Sequence, residues 1–219
     1  MKKRTSDKRG TAGFSLLEVS IAITLLGTVL GSVALFQHRS QEAVSEMLVR
    51  ARAEGEARAV LDQVVQELTG VGRQQLTPNP SGNAGAETIT YQKPIAVSNA
   101  GVVTWSPNSR LALAMDDGEA DNGVDDDGDG FIDERRLVLT RNVGTAAQQF
   151  VTLLHGLPEL VPGEAATIGD DNGNGVSDER GFNVQLVGDL LTVRLCVQRR
   201  SQAGNIVTVF AQTAVVVNN

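Results

Sequence analysis

Cysteine is nearly absent: Cys196 is the single thiol in 219 residues. No disulfide can form within the chain, so its fold must be held by a core, or by bound ions. Cys196 itself lies in an apolar strand pattern and reads as a small buried hydrophobe. Histidine is almost as scarce, with only His38 and His155. His38 reads as a solvated residue beside an apolar run, and His155, before Gly156, as a turn residue. With so little Cys and His, no zinc cluster can be assembled. No GxSxG, P-loop or HExxH motif occurs, and no catalytic constellation suggests itself, so neither an enzyme nor a small-molecule substrate is expected. Basic residues are few outside the first ten positions, and the formal charge is −7. A nucleic-acid groove is therefore not expected. Aromatic residues make up 4%, and no proline stands between Phe14 and Thr77. That leaves no basis for a proline kink in the segment that follows.

What is there begins with Lys2, Lys3, Arg4, Lys8 and Arg9, against one acid, Asp7. Residues 14–36 then run almost uninterrupted as apolar or small side chains, with Glu18 their only charge. As a helix this stretch measures about 35 Å at ~1.5 Å per residue, enough to cross a hydrocarbon core of about 30 Å. The basic flank predicts a cytoplasmic N-terminal side. A secretory signal has the same two parts, but its small-residue cleavage site follows the apolar run. Here Thr11-Ala12-Gly13 precedes it, so a cut after Gly13 removes residues 1–13 with their net +4, leaves −11 on the rest, and keeps the helix. Glu18 carries its own puzzle. A carboxylate within hydrocarbon costs ~2.5–3.5 kcal/mol on insertion scales and persists only with a partner.

Gly13-Phe14-Ser15-Leu16-Leu17-Glu18, behind a basic leader and ahead of an apolar run, resembles the cleavage and methylation signal of type IV prepilins and type II secretion pseudopilins. The sequence resemblance covers about the first 70 residues; beyond them it is one of layout. It implies that prepilin peptidase cuts between Gly13 and Phe14 and N-methylates Phe14. It implies also that Glu18 pairs with the Phe14 amine of a neighbouring subunit during assembly. The partners would be other pilin or pseudopilin subunits, the peptidase and the bacterial inner membrane. The head would be periplasmic before assembly and part of a pilus or pseudopilus afterwards. Scarce aromatics and a long interrupted head suit a minor subunit of the J or W type. The alternative is a membrane-anchored calcium-binding adhesion module that does not polymerise.

Past residue 36 the pattern becomes amphipathic over 37–69. Val44, Met47, Leu48, Ala51, Ala57, Val60, Leu61, Val64, Val65 and Leu68 form a stripe expected to pack on a sheet, with Gly70 and Gly72 ending the helix. Gly27 and Gly31 make a GxxxG pair within the apolar half. Residues 70–219 read as a β-rich head. Strands are expected at 87–92, 94–98, 101–105, 111–115, 136–141, 150–154, 182–187, 190–198 and 205–217, the last two joined as a hairpin through Ser201–Gly204. The fold class is therefore α+β: one long N-terminal helix on a mainly antiparallel sheet, in the pilin manner.

Two polar insertions interrupt the strands, at 121–134 and 170–179. Residues 116–134 hold ten acids and no base. Within them Asp125-x-Asp127-x-Asp129-Gly130-Phe131-x-Asp133 has the ligand spacing of a calcium loop: side chains at the first, third and fifth positions, a glycine for the turn, then the Phe131 carbonyl and Asp133. Ile132 is the apolar residue expected to anchor the loop. Asp170, 45 residues after Asp125, opens a second copy with Asn172, Asn174, Gly175, Val176 and Asp178, and both copies continue Glu-Arg. An all-oxygen set in flexible loops suits calcium better than magnesium. The twelfth EF-hand position, ordinarily a bidentate Glu, is Arg136 in one copy and Gly181 in the other. The loops look closer to the short DxDxDG loops of dockerin-like and thrombospondin-type repeats. Glu134, Glu179, Asp121 and Asp126 are candidates for the missing ligand. The second loop has fewer charges and is expected to bind more weakly. Affinities of ~10⁻⁴–10⁻³ M are expected without the bidentate Glu.

Overall fold

The computed structural model describes residues 15–81, 85–165, 169–177 and 179–217. Gly13, Phe14 and Asp178 lie outside these described residues, and so does the whole 1–13 leader. The chain divides into two units, one ending at Val44 and one from Ser45 onward.

Helix α1 spans Leu16–Leu68, 53 residues, or about 80 Å at ~1.5 Å each. In the first unit its apolar side chains are exposed throughout, from Leu16 to Phe36. Length and composition suffice to cross a membrane. The hydroxyls of Ser20, Thr24, Thr28 and Ser32 each donate to a backbone carbonyl three or four residues back, at 2.8–2.9 Å. No hydroxyl in this row then needs water, which is the condition hydrocarbon sets.

In the second unit α1 buries Ala53, Ala57, Val60, Leu61, Val64 and Leu68. The packed stripe thus starts at Ala53, later than the pattern implied. Val44, Met47 and Leu48 are more than half exposed, and Val49 rather than Leu48 packs with Ala53, Val207 and Val209. Gly70, at φ +82°, ends the helix in the left-handed conformation that glycine adopts without strain.

Among the described residues nine strands follow: β1 Thr88–Tyr91, β2 Pro94–Val97, β3 Val103–Trp105, β4 Ser109–Met115, β5 Arg135–Arg141, β6 Gln149–Leu157, β7 Phe182–Val187, β8 Leu190–Arg200 and β9 Ile206–Val216. They form an antiparallel sheet β1-β4-β5-β6, another β7-β8-β9, and a small β2-β3 pair. Along β8, Leu191, Val193, Leu195 and Val197 turn inward. They join Val60, Leu61, Val64 and Leu68 of the helix and Ile89, Leu111, Leu137 and Leu139 of the larger sheet in one core. The architecture is α+β. The first polar insertion joins two paired strands, β4 and β5, and the second joins β6 of the larger sheet to β7 of the other.

Candidate functional site

At the start of α1, the Ser15 amide donates to Glu18 Oε2 at 2.9 Å and the Glu18 amide donates to Ser15 Oγ at 3.2 Å. This is a reciprocal capping box, Ser-x-x-Glu, satisfying two amides that have no carbonyl of their own. The spacing was there to be seen in Ser15-Leu16-Leu17-Glu18, and it gives Glu18 a partner within its own chain.

The two insertions share one backbone plan, and it is longer than the Asp/Asn stretch alone. Gly118-Glu119-Ala120 and Gly163-Glu164-Ala165 also stand 45 residues apart. The amides of Asp126 and Asp127 donate to Glu119 Oε1, both at 3.0 Å, and the Asn172 amide donates to Glu164 Oε1 at 3.3 Å. Gly130 and Gly175 donate to the opening aspartates, Asp125 and Asp170, at 2.9 and 2.7 Å. Phe131 donates to Asp129 Oδ1 and Val176 to Asn174 Oδ1. Even the strand ends agree: the Asp116 amide donates to the Glu134 carbonyl, and the Val161 amide to that of Glu179, each at 3.0 Å. A β-carbon on Gly118 would lie 3.0 Å from Cβ of Asp127, and one on Gly163 3.1 Å from Cβ of Asn172. Both positions need glycine for space as well as for φ near +95°.

In the first loop the side-chain oxygens of Glu119, Asp125 and Asp127 approach within 4.8 Å of one another, and so do those of Asp127, Asp129 and Glu134. Asp127 belongs to both groups. The first and third loop positions therefore meet beside Glu119, and the third and fifth beside Glu134. Glu119 lies outside the calcium-loop spacing that opens at Asp125, and the repeated Gly-Glu-Ala is what marks it in the sequence. Glu134 is 5% exposed and its Oε2 has no hydrogen-bond donor among the described residues. Burial, and then the charges of Asp129, Glu119 and Asp127, push its carboxyl up to about 7.

Asp133 goes elsewhere. Its carboxylate accepts from the amides of Asn122 and Gly123 at 2.9 and 2.8 Å, and it groups with Asp121 and Glu159 beside Arg135. Asp126 is likewise held by the Ala120 amide and the Asn122 side chain. Ile132 is 58% exposed and anchors nothing; Phe131 and its counterpart Val176 turn inward, Val176 completely. The twelfth position is closed in both loops. The Arg136 guanidinium pairs with Asp117, and a β-carbon at Gly181 would lie 2.6 Å from Cβ of Leu157.

The second loop differs at its centre. The Asn174 side-chain amide donates to Glu179 Oε2 at 2.6 Å, while Asn174 Oδ1 accepts from Val176. Glu179 is buried, and that burial raises its pKa against the opposing Asn174 bond. Beside it lies a cavity of about 420 Å³ lined by Asn174, Glu179, Arg194, Cys196 and Phe210. Burial, then Glu179, pushes the Cys196 thiol up to about 12. His155 is part of β6 and not a turn residue; its ring meets Asp116.

Two groups of three carboxylates that share Asp127, one of them containing the donor-less Oε2 of buried Glu134, offer oxygen ligands only. Compared with protein-family models, with curated proteins and with solved structures, the chain matches none.

Proposed function

We propose that this chain is a minor subunit of a type IV pilus or a type II secretion pseudopilus, with calcium ordering the loops of its head. The observation that carries the reading is the helix itself. It starts at Leu16, two residues after Phe14, and from there to Phe36 is apolar and exposed on all sides, with one acid near its start. A helix apolar all round is made for lipid or for the helices of identical subunits. A cut after Gly13 frees the Phe14 amine four residues before Glu18, so each subunit carries both halves of a charge pair for its neighbours. The J/W-type assignment rests on the same layout and on the long interrupted head. Before assembly the subunit spans the bacterial inner membrane once, with its head in the periplasm.

The capping box favours a second reading. Ser15 gives Glu18 a hydrogen-bond partner within its own chain, so the helix can also serve as the anchor of a non-polymerising calcium-binding module. Mass spectrometry of the chain purified from its native membranes separates the two. The filament reading expects a first residue of N-methyl-Phe14. A chain that still carries Lys2–Gly13 overturns it.

A further inference from the structure

We infer that the two loops are unequal copies of one cation site: the first holds a calcium ion closed by Glu119 and the buried Glu134, whereas in the second an Asn174–Glu179 hydrogen bond stands where a cation must enter. The inference rests on the calcium part of the function proposed above, not on the filament part.

The argument starts from the buried oxygen. A carboxylate oxygen without a donor at 5% exposure is costly, and its neighbours Asp127 and Asp129 are acids that worsen it. The Glu134 backbone amide opposes this only in part, and Oε2 has no donor among the described residues. A divalent cation among Asp125, Asp127, Asp129, Glu119 and Glu134 would satisfy the orphan and cancel the repulsion together. Glu134, just before β5, would then supply what the twelfth loop residue supplies in an EF-hand, a role Arg136 cannot fill. Glu119 would close the opposite side, reaching back from six residues before the loop starts.

The second copy shows the same need met differently. Asn172 and Asn174 replace Asp127 and Asp129, removing two charges. The Asn174 amide then serves Glu179 directly at 2.6 Å, where the first copy has a carboxylate facing a carboxylate. A cation entering there would have to turn Asn174 away and would meet fewer anions. The difference extends to the surroundings. The Asp129 carbonyl accepts from Arg200 Nη1 at 2.8 Å, and Arg200 Nε donates to the Gly204 carbonyl. Order in the first loop is thereby coupled to the β8–β9 turn.

The test is calcium titration by isothermal calorimetry on the full chain in detergent, after chelation. Two classes of site are expected. Glu134→Gln and Glu119→Gln should each weaken the tighter class by about tenfold or more and spare the weaker. Asn174→Asp should strengthen the weaker class about tenfold, by restoring an anion and removing the amide. Far-ultraviolet circular dichroism checks that each variant folds. Should Glu134→Gln not fold, europium luminescence lifetimes on the unaltered chain count the waters on the tighter ion. About two or fewer waters fit a site closed by both glutamates; a site keeping about four or more overturns the closure. Wild-type calcium binding with both glutamine variants unaffected overturns this inference alone. A wild-type chain that binds no calcium overturns it together with the calcium reading, leaving the filament reading to the mass of the N-terminus.

Discussion

Glu67 sits near the end of α1 with its side chain 12% exposed, and three partners converge on it. Lys93 Nζ lies at 2.7 Å, the Arg141 guanidinium closes from β5, and the Tyr91 hydroxyl donates at 3.2 Å. Burial by itself would raise the Glu67 pKa; the bonds and charges of Lys93 and Arg141 outweigh it and leave the group below the ordinary 4.5. A carboxyl depressed in the folded state contributes stability that is present above its unfolded value and is lost as pH falls through its folded value. Glu67→Gln should therefore lower the melting temperature at pH 7, and its deficit against wild type should close as pH drops below about 4.5. A deficit constant across pH 3 to 7, followed by circular dichroism, would mean the carboxylate charge is not what matters. In the sequence Glu67 is one more polar-face residue, because its partners lie 24, 26 and 74 positions away. Glu119 is the opposite case. Its role was legible in the duplicated Gly-Glu-Ala, but a reading anchored on Asp125 starts six residues too late to see it.

For single elements, periodicity located all nine strands to within a few residues, because each is bounded by a turn and alternates or stays apolar between. The long helix was equally legible, its packed face less so. A heptad-like stripe from Val44 onward says which side is apolar, but how far the sheets reach along it depends on where β8 and β9 end. The boundary has energetic consequences. Leu61 is 4% exposed in the core and Leu48 is 66% exposed. Leu61→Ala should cost about 2–5 kcal/mol through lost burial and a cavity. Leu48→Ala should cost less than about 0.5 kcal/mol, as surface changes do. Urea unfolding of the full chain in detergent, followed by Trp105 fluorescence, measures both. Equal losses would put the packed stripe back at Val44. The acidic loops show the same limit. Their spacing names the turn-forming residues, yet Asp133 turns to the amides of Asn122 and Gly123 and Ile132 to solvent, because contacts with residues ten and eleven positions back are not written in the spacing.

At the scale of the whole molecule, the open question is what Glu18 is for, and the capping box supplies a way to ask it. Glutamine at the third helical position still accepts from the capping residue's amide, so Glu18→Gln preserves the bond to Ser15 and deletes the charge. If Glu18 only caps α1, the variant behaves as wild type. If its charge meets the Phe14 amine of a neighbour, the subunit should be cut after Gly13 as before and fail to enter filaments. A Gly13 substitution should do the reverse in order: the leader is retained, and assembly fails because no amine is freed. Shearing cells and probing the sheared and membrane fractions for the subunit reads assembly, and the mass of its N-terminus reads processing. Full incorporation of Glu18→Gln would remove the charge pair from the proposal while leaving cleavage standing. Loss of assembly with intact processing would tie the one acid in the apolar run to a partner outside its own chain. Its bond to Ser15 would then be the resting arrangement of a group that changes partners when subunits meet.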